Sequence, residues 1–403
     1  MHLSSSAGSS LGTTSSSTSK PNSSAARARL RAPQRKALAV WRGPFAFPAC
    51  PFPPASAYYA AMANGDIAGP LLADLQALLE DKGVAYAEPP SRLTGGFDTA
   101  IWAFRLAGAP PPFAGPLVAR VFGPGQGHRA RWDAALQSAV AAQGYPAPAA
   151  LHACETGGAL GQPYVLMPRV PGKTMLQSGL FHIPGTLASS QARLHALDPS
   201  PIRDSLRKAG IPEPPSGISA WLEAVARELR QPGMEPFRPA FEWFAANQPP
   251  DTAEVLCHLD FHPLNILVLK GEVSGVIDWS NAAFGDPAAD VAVTRILLTV
   301  PPVSVPGLPG PTVTALRRWM AWRYTRAYRA HHPLDMAAVR YYEAMRCFRA
   351  ISHLSQRRLA EAEGRAANAS GYAWADPATV SRLTRRFHRT TGIVLQPLAA
   401  AVP

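Results

Sequence analysis

Apolar positions follow two different periods along the chain, and their order predicts a strand-rich part followed by a helical part. Five leucines between residues 71 and 79 recur at the spacing of an amphipathic helix. Short apolar runs at 101–106, 117–122 and 163–167 predict strands, and a helical pattern covers about 129–142. Together these elements predict a mixed α+β fold.

A proline- and glycine-rich segment at 168–172 predicts a hinge between two units. Beyond it the pattern is mainly helical, with one β-hairpin around Gly271. We therefore expect a first unit over 66–170 and a second over 171–403.

Residues 1–65 have a different composition from the rest of the chain. They are rich in serine and proline and hold seven Lys/Arg and no acidic residue. Without apolar periodicity such a segment cannot bury a core, so it predicts a disordered basic leader. Three explanations are open for this segment. It is an organellar transit peptide, it results from a start codon upstream of a true first residue at Met62, or it is a plain tail. The protein is expected to be cytoplasmic, or organellar if residues 1–61 are a transit peptide.

The chain is basic, with a formal net charge of +12 over 403 residues. Residues 66–310 hold 17 basic against 22 acidic side chains, whereas residues 311–403 hold 15 arginines against five acids. More than half of the excess belongs to the leader, and the remaining arginines are spread over helical patterns, where a solvated face is usual. The charge therefore argues against nucleic-acid binding.

Cysteine spacing and hydropathy argue against a zinc-binding, a disulfide-rich or a membrane protein. The four cysteines are far apart and form no Cys-x-x-Cys pair, so neither a zinc site nor a disulfide framework is predicted. The longest apolar stretch, 291–300, contains Arg295 and is ended by two prolines, so no membrane partner is expected.

The most informative segment is His258-Leu-Asp-Phe-His-Pro-Leu-Asn265, which is followed by the hairpin and then by Asp278. With the turn centred between Gly271 and Glu272, the hairpin is expected to bring Asn265 and Asp278 side by side. Carboxylate and amide oxygens are the ligands that Mg²⁺ prefers, and Asp260 is then close enough to accept a hydroxyl proton.

These parts are the ones that phosphoryl transfer requires, because that reaction depends on positioning and charge neutralisation. The spacing is that of His-x-Asp-x-x-x-x-Asn followed by a second metal-binding Asp. The alternative is purely structural, with Asp260 capping a turn and Asp278 ending a strand.

With this motif and the segments around it, the sequence resembles the aminoglycoside phosphotransferase-like branch of the protein-kinase-like fold. The likeness covers about residues 83–397, and the segments that carry it are LTGGFDTAIWAFRL, LVARVF, YVLMPRVPG, ARLHALDP, HLDFHPLNILV and GVIDWSNAAFGDPAADVA. The resemblance implies a bilobal fold, with a small N-lobe of antiparallel sheet plus helix and a larger, mainly helical C-lobe.

The resemblance also implies roles for individual residues. Asp260 is expected to be the catalytic base, and Asn265 and Asp278 the Mg²⁺ ligands. The expected nucleotide contacts for ATP, or GTP, are a phosphate loop and a hinge that meets the adenine edge: Thr94, Gly95, Gly96 and Phe97 in the loop, and the Pro168 carbonyl and the Val170 N–H in the hinge.

The sequence departs from protein kinases at the phosphate-binding ion pair. Arg120 stands where their strand carries Lys, and Asp133 where their helix carries Glu. A longer cation with a shorter acid spans a similar gap, so we interpret this pair as a compensated exchange that binds nucleotide. The phosphate loop has a Gly-Gly pair rather than G-x-G-x-x-G.

Neighbouring residues are expected to be structural. Asp286 before Pro287 predicts a helix N-cap, and Asp290 is expected to tie that helix to the catalytic loop. His258 and His195 are interpreted as hydrogen-bonded structural histidines, and the role of His262 is open. Six aromatic residues are expected to pack in the core: Trp319, Trp322, Tyr324, Tyr328, Tyr341 and Tyr342.

The expected function is ATP- and Mg²⁺-dependent transfer of phosphate to a hydroxyl of a small molecule. The excess of arginine in the C-terminal part disfavours a polycationic aminoglycoside and favours a neutral or anionic acceptor, such as a macrolide-like compound, a sugar or a hydroxyacyl metabolite. The alternative is a pseudokinase, a nucleotide-binding or scaffold module without turnover, and its support is Arg120 in place of Lys.

Overall fold

The computed structural model describes residues 67–93, 99–177, 179–213, 217–300, 310–364 and 375–398. The predicted leader at 1–65 and the predicted phosphate loop at 94–97 lie outside the described residues. Among the described residues, no helix combines the length and hydropathy needed to cross a membrane.

The first part of the fold is an antiparallel sheet of five strands in the order β1-β2-β3-β5-β4. Its strands are β1 (Ala85–Leu93), β2 (Ala100–Ala107), β3 (Pro116–Val121), β4 (His152–Cys154) and β5 (Tyr164–Pro168). Among the described residues, two helices accompany the sheet, α1 (Ala68–Leu78) and α2 (Gly127–Ala142). The three strands and two helices predicted here from periodicity are confirmed.

Strands β1 and β4 were not predicted, and β1 shows why. It contains Pro89 and Pro90 and is exposed along most of its length, so it lacks the apolar alternation of a buried strand. Proline is tolerated there because β1 is the edge of the sheet and pairs on one side with β2.

The second part is mainly helical, and its strands are short. The helices are α3 (Ile183–His195), α4 (Pro199–Lys208), α5 (Gly217–Glu228), α6 (Arg238–Ala246), α7 (Pro287–Thr299), α8 (Gly310–Tyr328), α9 (Met336–Ala362) and α10 (Pro377–Thr391). The strands are β6 (Lys173–Thr174), β7 (Val255–Cys257), β8 (Ile266–Leu269), β9 (Glu272–Val276) and β10 (Ala283–Gly285). The α+β fold class is confirmed, whereas the division at 170/171 stays a prediction.

The predicted hairpin is present as β8 and β9, but the sequence analysis was wrong to expect no other strand in this part. β6 pairs with β8, and β7 pairs with β10. These strands have only two or three residues each, too few to show a period of two.

The register of the hairpin also differs by one residue from the prediction. Leu269 pairs with Glu272, so the turn lies at Lys270-Gly271, where both residues have positive φ. Two residues with positive φ are the requirement of a type I′ turn. This turn alone would place Asn265 opposite Val276, and the bulge after Leu267 shifts the pairing by one residue, so Asn265 faces Ile277 and not the predicted Asp278.

The large core cluster packs these helices against the hairpin. Trp279, directly after Asp278, is fully buried and donates its indole N–H to the Val276 carbonyl at 3.0 Å. The four tyrosines of the predicted aromatic set are buried, as expected, and Trp319 is half-buried. Trp322 was predicted wrongly, since 57% of it is exposed on α8.

Candidate active site

The loop between β7 and β8 contains Asp260, the predicted base, and is called the catalytic loop for that reason. Asp290 of α7 binds its backbone. The two Asp290 oxygens accept the backbone N–H groups of His258 and Leu259 at 2.8 and 2.7 Å. Leu259 has a φ of 57°, in the left-handed region that a branched residue rarely adopts. Asp290 therefore stabilises an unusual backbone conformation directly before Asp260, as the sequence analysis expected of it.

Two buried histidines pack around Asp290 and the catalytic loop, and together with Asp290 we call them the Asp290 anchor. His195 of α3 lies 3.0 Å from Asp290 through Nε2 and 2.6 Å from the Tyr328 hydroxyl through Nδ1. His258 is fully buried and contacts the Ile277 carbonyl at 3.1 Å, and burial lowers its pKa, which keeps the ring neutral. Both are structural histidines, as predicted. Asp286 caps α7 by accepting the Ala288 N–H at 2.7 Å, also as predicted.

Asp260, the predicted base, lies beside Asn265 and His262. The Asn265 amide donates to the Asp260 carbonyl at 3.0 Å and to its Oδ2 at 3.2 Å. His262 Nε2 lies 3.5 Å from the same oxygen. Burial raises the pKa of Asp260, but the nearby His262, His258 and Arg346 outweigh burial and hold it below its ordinary value. Asp260 is therefore a carboxylate at neutral pH, able to accept a proton.

Asp278 follows the hairpin and is also in an unusual conformation, with a φ of 66°. Its Oδ1 accepts from Arg120 at 2.8 Å and from the Ser280 hydroxyl at 3.0 Å. Burial raises the pKa of Asp278, but the charge and hydrogen bond of Arg120 prevail and lower it to about 2. Asp278 is thus negatively charged over the whole physiological range.

Arg120 of β3 connects the sheet to this loop. It is 7% exposed and donates to Asp133 of α2 at 2.8 Å, to Asp278 at 2.8 Å and to the Thr99 hydroxyl at 3.1 Å. Burial alone disfavours the charged guanidinium, but Asp133 and Asp278 raise the pKa of Arg120 above its ordinary value. The structure therefore contains the Arg120–Asp133 ion pair that the sequence suggested.

The predicted hinge runs from β5 to β6. Pro168 is the last residue of β5 and faces Leu117 of β3, and the Arg169 N–H donates to the Pro116 carbonyl at 2.9 Å. The Val170 side chain lies against Gly275 of β9, where an added Cβ would come within 2.5 Å of Val170 Cγ1. Glycine at 275 is what allows the hinge and the hairpin to approach so closely.

Two polar residues of the site were missed by sequence reasoning. Thr99 and Ser280 each contact Arg120 through their hydroxyl groups, Ser280 at 2.8 Å. Ser280 follows Asp278 by two residues, a spacing that could have signalled it. Thr99 carried no such signal, because its contact with β3 depends on how the sheet folds.

The oxygens around Asp278 suit a hard divalent cation. Arg120 and Ser280 both use Asp278 Oδ1, and the amide nitrogen of Asn265 is committed to Asp260. Asp278 Oδ2 and Asn265 Oδ1 are therefore the oxygens that these side chains keep for a ligand. One carboxylate and one amide oxygen, completed by phosphate and water, form a donor set typical of Mg²⁺.

The family to which this chain belongs follows from its sequence. The profile of the phosphotransferase enzyme family, APH, matches residues 91–304, which is more than half of the chain. The chain therefore belongs to this family. The resemblance seen in the sequence and the predicted class, a phosphotransferase, are confirmed by this match.

Solved structures show the same fold at low sequence identity. A candidate aminoglycoside phosphotransferase from Ralstonia eutropha JMP134 superposes with a TM-score of 0.56 at 17% identity, over 80% of this chain and 95% of that chain. Aminoglycoside phosphotransferase APH(4)-Ia superposes with a TM-score of 0.53 at 18% identity, over 79% of this chain and 99% of that chain. Identities this low support the fold alone.

Curated relatives match a shorter stretch. Acyl-CoA dehydrogenase family member 10 of Mus musculus is 29% identical over 182 residues, covering 41% of this chain and 16% of that protein. Family member 11 of Rattus norvegicus is 27% identical over 181 residues, covering 41% of this chain and 22% of that protein. The match thus spans a minor part of these relatives' length.

Proposed function

We propose that this chain transfers the γ-phosphoryl group of ATP, or GTP, to a hydroxyl of a small molecule with the help of Mg²⁺. The observation that carries the proposal is the convergence of Asp260, Asn265 and Asp278 at one end of the β8–β9 hairpin, with Arg120 in contact with Asp278. This set contains a base, two oxygen ligands and a cation, which are the parts of a phosphotransferase.

In the proposed reaction Asp260 accepts the proton of the acceptor hydroxyl. The acceptor oxygen bonds to the γ-phosphorus while the bond from that phosphorus to the oxygen of ADP breaks. Asn265 and Asp278 hold Mg²⁺, which neutralises phosphate charge when bound. Arg120, held by Asp133 and Asp278, supplies a fixed positive charge to the phosphates, with one N–H of Nη1 left to donate to a phosphate oxygen.

The remaining nucleotide contacts are proposed from the resemblance. The loop Thr94–Phe97 covers the phosphates, and the Pro168 carbonyl and Val170 N–H meet the base. We propose that the nucleotide binds between the 66–170 and 171–403 units. The close packing of Val170 on Gly275 supports this assignment, because it fixes the hinge beside the hairpin that ends at the metal ligands.

We propose a neutral or anionic acceptor rather than an aminoglycoside. The 15 arginines against five acids at 311–403 oppose the binding of a polycation. The names of the curated relatives add weight to a hydroxyacyl acceptor among the candidates, since both refer to acyl-CoA chemistry.

The test is Mg²⁺-dependent release of ADP by the full chain with a mixed panel of neutral, anionic and cationic hydroxyl compounds. Asp260→Asn removes the base without changing shape, and Asp335→Asn, at the start of α9, is the matched control. Turnover that needs both an acceptor and Asp260 supports the proposal. Binding of Mg·ATP without turnover on any acceptor supports the pseudokinase alternative, and lack of nucleotide binding contradicts the metal-site assignment.

A further inference from the structure

Helix α8 exposes a row of side chains in which a tryptophan lies between two arginines. Trp322 is 57% exposed, and Arg318 and Arg326 are exposed one turn before and one turn after it. Residues four apart lie on the same side of a helix, so these three side chains are neighbours. Arg323 is exposed beside them. Tyr324, on the opposite side of α8, is fully buried, so the row points away from the core.

A second exposed aromatic ring joins this row. Phe181, between β6 and α3, is 78% exposed, and its ring packs edge-on against that of Trp319 with the centroids 5.7 Å apart. Trp319 precedes Trp322 by three residues, so the two indoles are neighbours on α8. Neighbouring aromatic rings left in water indicate a surface that is covered in a complex. We call this surface the α8 face, and its residues are Phe181, Arg318, Trp319, Trp322, Arg323 and Arg326.

The α8 face is positively charged, because the elements that form and support it lack exposed acids. Residues 291–334 hold six arginines and no Asp or Glu, and residues 156–197, which contain Phe181, also lack both acids. Helix α8 packs against α3, which has no acidic residue, and against α7, whose Asp290 is buried. Within the described residues, no carboxylate forms an ion pair with the three arginines of the α8 face. Their charges are therefore available to an anionic partner.

The combination of charge and apolar surface favours one kind of partner. A second copy of this chain would bring arginines against arginines on this face. A nucleic acid or an acidic protein would neutralise the arginines, but Leu180, exposed beside Phe181, is an aliphatic side chain that phosphates do not recognise. An anionic bilayer suits both features, because its headgroups attract arginine while tryptophan and phenylalanine rings enter the boundary between headgroups and acyl chains.

We propose that the α8 face docks on an anionic lipid surface, with Phe181 and Trp322 among the headgroups and the three arginines against their phosphates and carboxylates. This inference goes beyond the proposed function and does not depend on phosphate transfer. The expectation of no membrane partner, drawn from the sequence, concerned segments that cross the bilayer, and a contact with the surface of the bilayer needs no such segment.

The experiment measures binding of the full chain to vesicles by sedimentation. One set of vesicles is phosphatidylcholine alone, and the other contains about one third phosphatidylserine. The double variant Arg323→Gln/Arg326→Gln removes two charges from the α8 face, and Trp322→Ser removes a ring without changing the charge. Arg92→Gln/Arg105→Gln is the matched control for the double variant, because it has the same net charge but loses exposed arginines of β1 and β2. The Tm of each variant checks that it is folded.

We expect the wild type to bind the phosphatidylserine vesicles more tightly than the phosphatidylcholine vesicles, and added salt should weaken that binding. Each arginine near an anionic surface contributes about fivefold to the affinity, so the double variant should bind about 25-fold more weakly. Trp322→Ser should weaken binding about tenfold, because its ring no longer leaves water. The charge control, and Val394→Ser at an exposed apolar residue outside the α8 face, should stay within about twofold of the wild type.

Three results would overturn the inference. If the double variant loses no more affinity than its charge control, net charge or the basic residues 1–65 hold the chain to the vesicles, and the α8 face does not. If Trp322→Ser binds as tightly as the wild type, the aromatic rings do not enter the lipid. If the wild type does not bind the phosphatidylserine vesicles, lipid is excluded, and retention on heparin that decreases in the double variant would then assign the α8 face to another polyanion.

Discussion

Asp290, which binds the backbone of the catalytic loop, provides the most direct test of how the fold positions Asp260. We expect Asp290→Ala to destabilise the protein and to displace Asp260 at the same time. The substitution removes the acceptor for the His258 and Leu259 N–H groups and for His195 Nε2. Asp290 and His258 are fully buried, so water cannot easily replace the lost carboxylate.

The magnitude follows from the number of donors that lose their partner. A buried donor left unpaired costs about 1–3 kcal/mol, so the two backbone N–H groups alone predict a loss of about 2–6 kcal/mol in the free energy of unfolding. Leu259 will also leave its left-handed conformation, which strains a non-glycine residue by about 1–3 kcal/mol. Because Asp260 is the next residue, its displacement by about 1 Å is expected to lower kcat about 100-fold.

The assay combines urea unfolding, followed by tryptophan fluorescence, with the kcat for phosphate transfer. Asp335→Ala is the control: Asp335 caps α9 by accepting the Ala337 N–H at 2.7 Å, far along the chain from the loop. Loss of that cap should cost about 1 kcal/mol and leave kcat unchanged. A loss below about 1 kcal/mol for Asp290→Ala, with unchanged kcat, would refute the reasoning, since no buried donor would then depend on Asp290.

Other changes test the remaining contacts. Arg120→Met leaves the buried Asp133 without its cation, so we expect a loss of about 3–5 kcal/mol in the free energy of unfolding in urea. We also expect weaker binding of Mg·ATP in a titration. An unchanged affinity would exclude Arg120 from the nucleotide site. Glu343→Gln, which separates Arg295 from Arg386, should cost about 3–5 kcal/mol in the same unfolding experiment, and an effect below about 1 kcal/mol would show that the network is not stabilising. The pKa of Asp278 is lowered from 3.8 to about 2, so its stabilising contribution is present above pH 3.8 and is lost as pH falls through about 2. Asp278→Asn should remove this component from unfolding curves recorded at decreasing pH, and an unaltered pH dependence would contradict the sign.

The sequence could indicate that the residues of the predicted catalytic motif lie together in the structure, because they are close together in the chain. Asp260 and Asn265 are five residues apart in one loop, so local geometry alone brings them into contact. The position of Asp278 near Asn265 could also be predicted, because a hairpin brings the chain back to the point where the hairpin starts. The predicted partner was wrong by one residue because the turn lies one residue earlier than predicted, which moves the pairing by two residues, and the bulge after Leu267 moves it back by one.

Long-range contacts had to come from the fold. Asp133 was recognised as a partner of Arg120 by resemblance, but the contact of Arg120 with Asp278, 158 residues away, was not foreseen. Trp322 illustrates the opposite error. It was expected in the core as one of six aromatic residues, yet on α8 57% of this side chain is exposed.

The sequence by itself determined the α+β class, the spacing of Asp260, Asn265 and Asp278 and the membership in a phosphotransferase family, because these depend on local periodicity and on short motifs. Only the tertiary structure decided that Arg120 contacts Asp278 in addition to Asp133, and that both Asp290 oxygens accept the backbone N–H groups of His258 and Leu259. Each of these contacts joins segments far apart in the chain. Their geometry is set by the packing of helices on the sheet and the hairpin, and local sequence preferences contain no information about that packing.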